Sequence, residues 1–223
     1  MTKSILEVDS VQKQYDGKII VSDVYLKCET ADIIGILGRN GSGKSTLLKI
    51  IFGIVTADFK FVHVDGEVKL KTSDLLNQIS YLSQDNFIPN LFSVKKTIVL
   101  SIAKDKLQEF YADDMIQTIL NKKIKNLSGG ELRYLGIKLI LNNPSKFVLL
   151  DEPYNGLSPI MIEKINGLIT EMSIAKGIII TDHNYENVIK VSTKLALMKE
   201  GKLHHLNDRS ELVEKGYLNS EMI

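Results

Sequence analysis

Gly38, Arg39, Asn40, Gly41, Ser42, Gly43, Lys44, Ser45 and Thr46 follow the phosphate-loop pattern GxxxxGK[ST]. Glycines let successive backbone N–H groups turn inward on phosphate oxygens, where a β-carbon would block the approach. Lys44 supplies a point charge to the β and γ oxygens, and Ser45 offers a hydroxyl to Mg²⁺. The set implies a nucleoside triphosphate. Asp151 and Glu152 then place two carboxylates side by side. Asp151 can hold Mg²⁺ through its waters, and Glu152 can accept a proton from an attacking water. A third set is Leu127-Ser128-Gly129-Gly130-Glu131. Ser128 and Glu131 satisfy the capping box of a helix start, yet glycines in a helix interior cost about 1 kcal/mol each. The expected use of Gly129 and Gly130, with Ser128, is close backbone approach to a phosphate. One phosphate loop already occupies one end of a triphosphate, so this second anion-binding helix start is expected to serve a nucleotide held by a second copy of the chain.

These groups need rigid elements beneath them. The apolar run Ile33-Ile34-Gly35-Ile36-Leu37 reads as a buried strand entering the loop. Leu47, Leu48, Ile50 and Ile51 read as the buried face of the helix leaving it, with the positive end of its dipole toward the anion. Residues 147–150 read as a strand buried on both faces, delivering Asp151 and Glu152 at its C-terminal end, where ligands bind in open α/β sheets. Residues 178–181 form a third such strand, ending beside His183. After Ser128, the residues Leu132, Leu135, Gly136, Leu139 and Ile140 keep helical spacing. In the N-terminal third, β-branched content and the turn residues Gly17 and Asp32 mark strands at 5–8, 19–24 and 25–29, an antiparallel layer.

In their order along the chain, these motifs resemble the ATP-binding cassette ATPases, and the resemblance covers nearly the whole sequence. It implies an α/β fold: a P-loop, RecA-like parallel-sheet core with an N-terminal antiparallel β layer and a small α-helical subdomain at about 86–143. It implies ATP hydrolysis with Mg²⁺ held through Ser45, Gln84 and Asp151, and catalysis by Lys44, Gln84, Glu152 and His183. By the same resemblance Tyr15 stacks on adenine, Gln84 contacts Mg²⁺ and the attacking water, and His183 bonds the γ-phosphate. By residue type alone Tyr15 is a strand-end tyrosine and Gln84 an ordinary polar side chain; their place among the motifs singles them out.

One departure is Ser158, which stands where the family carries an aspartate at the dimer interface. Ahead of Pro159 a serine still caps the helix that would bury Ile162, Ile165, Ile169 and Met172, but the charge is lost. Nucleotide binding is expected to survive while communication between the two sites changes. The resemblance further implies a head-to-tail dimer with a second copy or a homologue, and an integral membrane permease as partner. Phe87, Ile88, Pro89, Leu91 and Phe92 form an apolar cluster after Gln84 that would either contact the permease or pack in the core. The stretch 151–160, with Thr181-Asp182-His183-Asn184 and the ending Glu214-Lys215-Gly216-Tyr217-Leu218, is similar to the ATPases of lipopolysaccharide export. The alternative is a soluble cassette ATPase of the iron–sulfur assembly or nucleic-acid-associated kind.

The chain of 223 residues, 44% hydrophobic and 25% charged, suits one α/β domain, 1–223, with a satellite subdomain. A net charge of +1 creates no global field that would draw nucleic acid, and none is expected as a partner. The basic run Lys122-Lys123-Ile124-Lys125 reads as a solvated loop, with attraction of nucleotide as the other use. A single Cys28 excludes an intramolecular disulfide and reads as a strand residue. His204 and His205, adjacent on a strand, point to opposite faces and make a poor metal pair. No apolar run reaches the roughly 20 residues of a membrane helix, and Met1 to Asp9 has no signal-peptide core. The expectation is a cytoplasmic protein, peripheral at the inner face of the membrane through its permease.

Overall fold

The computed structural model describes residues 3–69 and 71–219. Met1 and Thr2, which begin the segment read for a leader, and 220–223, the end of the domain read as 1–223, lie outside the described residues. In chain order the elements are β1 (Ile5–Tyr15), β2 (Lys18–Glu29), β3 (Ile33–Leu37), α1 (Lys44–Phe52), β4 (Phe59–Val64), β5 (Glu67–Val68), α2 (Thr72–Leu75), β6 (Ile79–Leu82), α3 (Val94–Ser101), α4 (Leu107–Tyr111), α5 (Asp114–Ile119), α6 (Gly129–Leu141), β7 (Phe147–Asp151), α7 (Pro159–Ser173), β8 (Gly177–Thr181), α8 (Tyr185–Val191), β9 (Lys194–Lys199), β10 (Lys202–Leu206) and α9 (Glu211–Glu214).

Period-two alternation on the buried strands decides the layers. On β7, Val148 and Leu150 join a core with α6 and α7, while Phe147 and Leu149 join a second core with α1 and the N-terminal strands. On β3, Ile33 and Leu37 face the first core, Ile34 and Ile36 the second. The central sheet runs β10-β9-β3-β8-β7-β6, parallel except for β10, which pairs antiparallel with β9. The second sheet, β2-β1-β4-β5, is antiparallel. Helix α1 buries Leu47, Leu48, Ile50 and Ile51 between the two sheets, as its spacing predicts.

Two expectations need correction, and a third, left open between two readings, divides between them. The strands at 19–24 and 25–29 are one strand, β2, and β1 extends to Tyr15. Register shifts interrupt the β1–β2 ladder, and Ser10 and Asp23 have φ of 53° and 49°, so bulges bend both strands without ending them. The basic run is not simply solvated: Ile124 is buried, and Lys122 Nζ lies 2.7 Å from Glu131 Oε1. The apolar cluster after Gln84 divides, Ile88 buried and Phe92 partly so, while Phe87 and Leu91 are 49% and 87% exposed. The helices α3 to α6 fall within the subdomain expected at 86–143. Cys28 is a buried residue of β2, its thiol pushed up by burial.

Candidate active site

The C-terminal ends of β3, β7, β8 and β6 open on one side of the central sheet and carry, respectively, the phosphate loop, Asp151 with Glu152, the Asp182-His183 turn and Gln84. Gly43, the last residue before α1, has φ of 106°. Lys44 is buried and curls back on its own loop, Nζ donating to the Gly38 carbonyl at 2.6 Å and the Arg39 carbonyl at 3.2 Å. Burial lowers the Lys44 pKa from its ordinary value; Glu152, Asp151 and Asp182 oppose that shift.

Asp151 is fully buried at the end of β7. Its Oδ1 accepts from Ser45 Oγ at 2.9 Å and Thr181 Oγ1 at 2.8 Å, and its Oδ2 from the Tyr81 hydroxyl at 3.0 Å. Gln84 Nε2 donates to Ser45 Oγ at 3.1 Å, so the three expected metal ligands touch in sequence. Burial, then the Asp151 charge, pushes the Tyr81 phenol up. Glu152 takes a left-handed backbone, φ 48°, which turns the chain out of β7. Its Oε2 lies 3.9 Å from His183 Nδ1. That imidazole nitrogen also lies 3.4 Å from Asp182 Oδ1, and Asp182 accepts from the Tyr154 and Asn184 amides.

Tyr15, Asn40, Gly41, Ser42, Gly43, Lys44, Ser45, Thr46, Gln84, Glu152 and His183 line one cavity of about 640 Å³. Gly38 and Arg39 do not line it, though their carbonyls accept from Lys44, and Asp151 reaches it through Ser45. Lys13 Nζ sits 5.0 Å from the centroid of the Tyr15 ring, which is 47% exposed at the rim. Ser128, Gly129 and Gly130 do not line the cavity. The capping box forms as predicted: Ser128 Oγ accepts from the Glu131 amide, and Glu131 Oε2 from the Ser128 amide. The two glycines differ. A β-carbon on Gly129 would meet open space, whereas one on Gly130 would come within 2.9 Å of Met161 Sδ, so Gly130 has a packing reason as well as the one expected of it.

Tyr81, Thr181 and Arg133 were not singled out from the sequence. Arg133 Nη1 donates to the Ser83 carbonyl at 2.6 Å, and Nη2 to the Asp151 and Glu152 carbonyls at 2.7 and 2.8 Å. The available signal was a cation between Leu132 and Tyr134, five residues before the second cation of the same helix, Lys138.

Residues 21–155, more than half of the chain, match the family described as ABC transporter. The chain is 33% identical over 215 residues to the lipopolysaccharide export system ATP-binding protein LptB of Haemophilus influenzae, covering 90% of this chain and 89% of that one. Among solved structures, an ATP-binding subunit of an ABC transporter superimposes with a TM-score of 0.82 at 17% identity, over 97% of this chain and 95% of that one. A dimeric post-hydrolysis cassette bound to ADP and Pi superimposes at 0.77 and 21%, over 92% and 100%. With the phosphate loop, the paired carboxylates and the parallel sheet already in place, the chain belongs to the ABC transporter family, as an ATP-binding and ATP-hydrolysing subunit.

Proposed function

We propose that two copies of this chain close head to tail on two ATP molecules, and that hydrolysis reopens them to drive a separate membrane permease. The observation that carries this reading is the separation of the two anion-binding sets. Ser128, Gly129 and Gly130 stand outside the cavity lined by Lys44, Ser45, Glu152 and His183, so they serve a nucleotide held by the other copy. The relative named for an export system supports a membrane partner, with this chain peripheral at the cytoplasmic face. Exposed Phe87 and Leu91, just beyond Gln84, would meet that partner.

Within the site, Tyr15 at the rim stacks on the adenine, and the amides of 38–46 cradle the phosphates. Lys44 exchanges the Gly38 and Arg39 carbonyls for the β and γ oxygens. Ser45, Gln84 and Asp151 form a hard-oxygen set suited to Mg²⁺, which when bound neutralises charge on the phosphoryl group. Glu152 orients water and takes its proton, and His183 steadies the γ-phosphate beside it.

The test is Glu152→Gln. Turnover is expected to fall by about 100-fold or more, with ATP binding kept and a dimer seen by size-exclusion chromatography only with Mg-ATP. A rate within a few fold of the parent, or an ATP-loaded variant that stays monomeric, would count against the reading.

A further inference from the structure

We infer that Arg133 is a positioning residue for hydrolysis: its guanidinium clamps the turn that carries Glu152 and the loop that carries Gln84, and ties both to helix α6. The inference rests on the roles proposed above for Glu152 and Gln84.

Four backbone carbonyls from two separate segments converge on this one side chain. Besides Ser83, Asp151 and Glu152, the Pro153 carbonyl accepts from Nε at 3.4 Å. Among the described residues no carboxylate oxygen takes any of these donors. Burial disfavours charge on the guanidinium, and Asp151, Asp182 and Glu152 offset this from a distance. A partly buried cation spent wholly on carbonyls holds main chain in place; it does not neutralise a partner.

The geometry of the turn requires such a holder. In an extended strand the chain alternates direction at each residue, so the carbonyls of 151, 152 and 153 can meet one fork only where the chain leaves β7 sharply. Glu152 does so with φ of 48°, a conformation that costs a residue with a β-carbon about 1 kcal/mol or more. The planar guanidinium, with five donors in a fixed fork, suits that set; a lysine ammonium on its shorter, pivoting stem cannot span it.

Arg133 lies in the second turn of α6, whose first turn carries Gly129 and Gly130, the glycines proposed above to serve the other copy's nucleotide. Movement of α6 when that nucleotide binds is thus delivered through one rigid side chain to Glu152 and to Ser83, the neighbour of Gln84.

The experiment compares Arg133→Ala and Arg133→Lys with the parent, measuring kcat, nucleotide affinity by titration with a fluorescent ATP analogue, melting temperature, and the response to millimolar guanidinium chloride. Misplacing the Glu152 turn is expected to lower kcat by about 100-fold in both variants while affinity stays within a few fold. Free guanidinium is expected to restore part of the rate of Arg133→Ala and none of that of Arg133→Lys, whose side chain fills the space. A kcat within a few fold of the parent, a loss of affinity matching the loss of rate, or no response of Arg133→Ala to guanidinium overturns the inference. If Arg133→Ala does not fold, Arg133→Lys decides by the same split of kcat against affinity. A parent whose turnover is indifferent to Glu152→Gln would instead overturn the reading of the site itself.

Discussion

Among the site residues that hold backbone conformations L side chains rarely adopt, Glu152 and Gly43 differ in what compensates. Glu152 keeps its side chain and is braced by Arg133. Gly43 is tolerated because it has none: at φ 106° a β-carbon would lie 2.6 Å from the Ile20 carbonyl, and backbone cannot step aside as a flexible side chain can. Gly43→Ala is therefore expected to cost about 1–3 kcal/mol in strain alone, and to displace the amides and Lys44 from phosphate. Thermal melting with and without ATP reads both effects; an unchanged melting temperature and an unchanged ATP-induced shift would show that the loop accommodates the methyl group.

At the scale of elements, the helical subdomain is fastened by one small polar knot. Asp113 caps α5 through the Ile116 amide and reaches α6, where Lys138 Nζ donates to it at 2.6 Å and the Tyr134 hydroxyl at 2.7 Å. Burial works against the Asp113 carboxylate, but these donors outweigh it and hold its pKa below the ordinary value. A depressed folded-state pKa means the stabilisation is fully present above the unfolded pKa, about 3.9 for aspartate, and is lost as pH falls through the lower folded value. Asp113→Asn is expected to destabilise by about 2 kcal/mol at pH 7. In urea titrations the gap should hold from neutral pH down to about 5 and shrink below about 4. A gap that does not depend on pH would mean the charge is not what holds α5 to α6.

For the whole molecule, the composite site proposed above would make catalysis a property of two chains. Specific activity is expected to rise with protein concentration until the dimer is saturated; a flat dependence from nanomolar to micromolar protein would contradict a shared site unless the dimer is permanent, which light scattering decides. Ser158 adds a second handle. It is exposed, its hydroxyl accepts from the Met161 amide as the cap of α7, and aspartate caps a helix equally well. Ser158→Asp should therefore leave the fold alone and place a charge on the proposed dimer face. The expected result is a changed Hill coefficient for ATP turnover with nucleotide affinity nearly unaltered. A large loss of ATP binding at constant cooperativity would refute this.

The sequence by itself determined what is written in short stretches of chain. Glycine positions, the Lys44-Ser45 pair, the capping box at Ser128 and the doubly buried runs of β3, β7 and β8 are local, because backbone dihedrals and the alternation of apolar residues are set within a few neighbours. The merging of two N-terminal strands into β2 escaped notice because bulges interrupt that alternation. Only the tertiary structure decided who holds the site together. Tyr81 meets Asp151 across a sequence separation of 70, and Arg133 meets Ser83 across 50. Carbonyl oxygens have no residue type, so nothing in the sequence marks which four of them an arginine will clamp; that depends on where packing brings the segments and which way the main chain turns when it arrives.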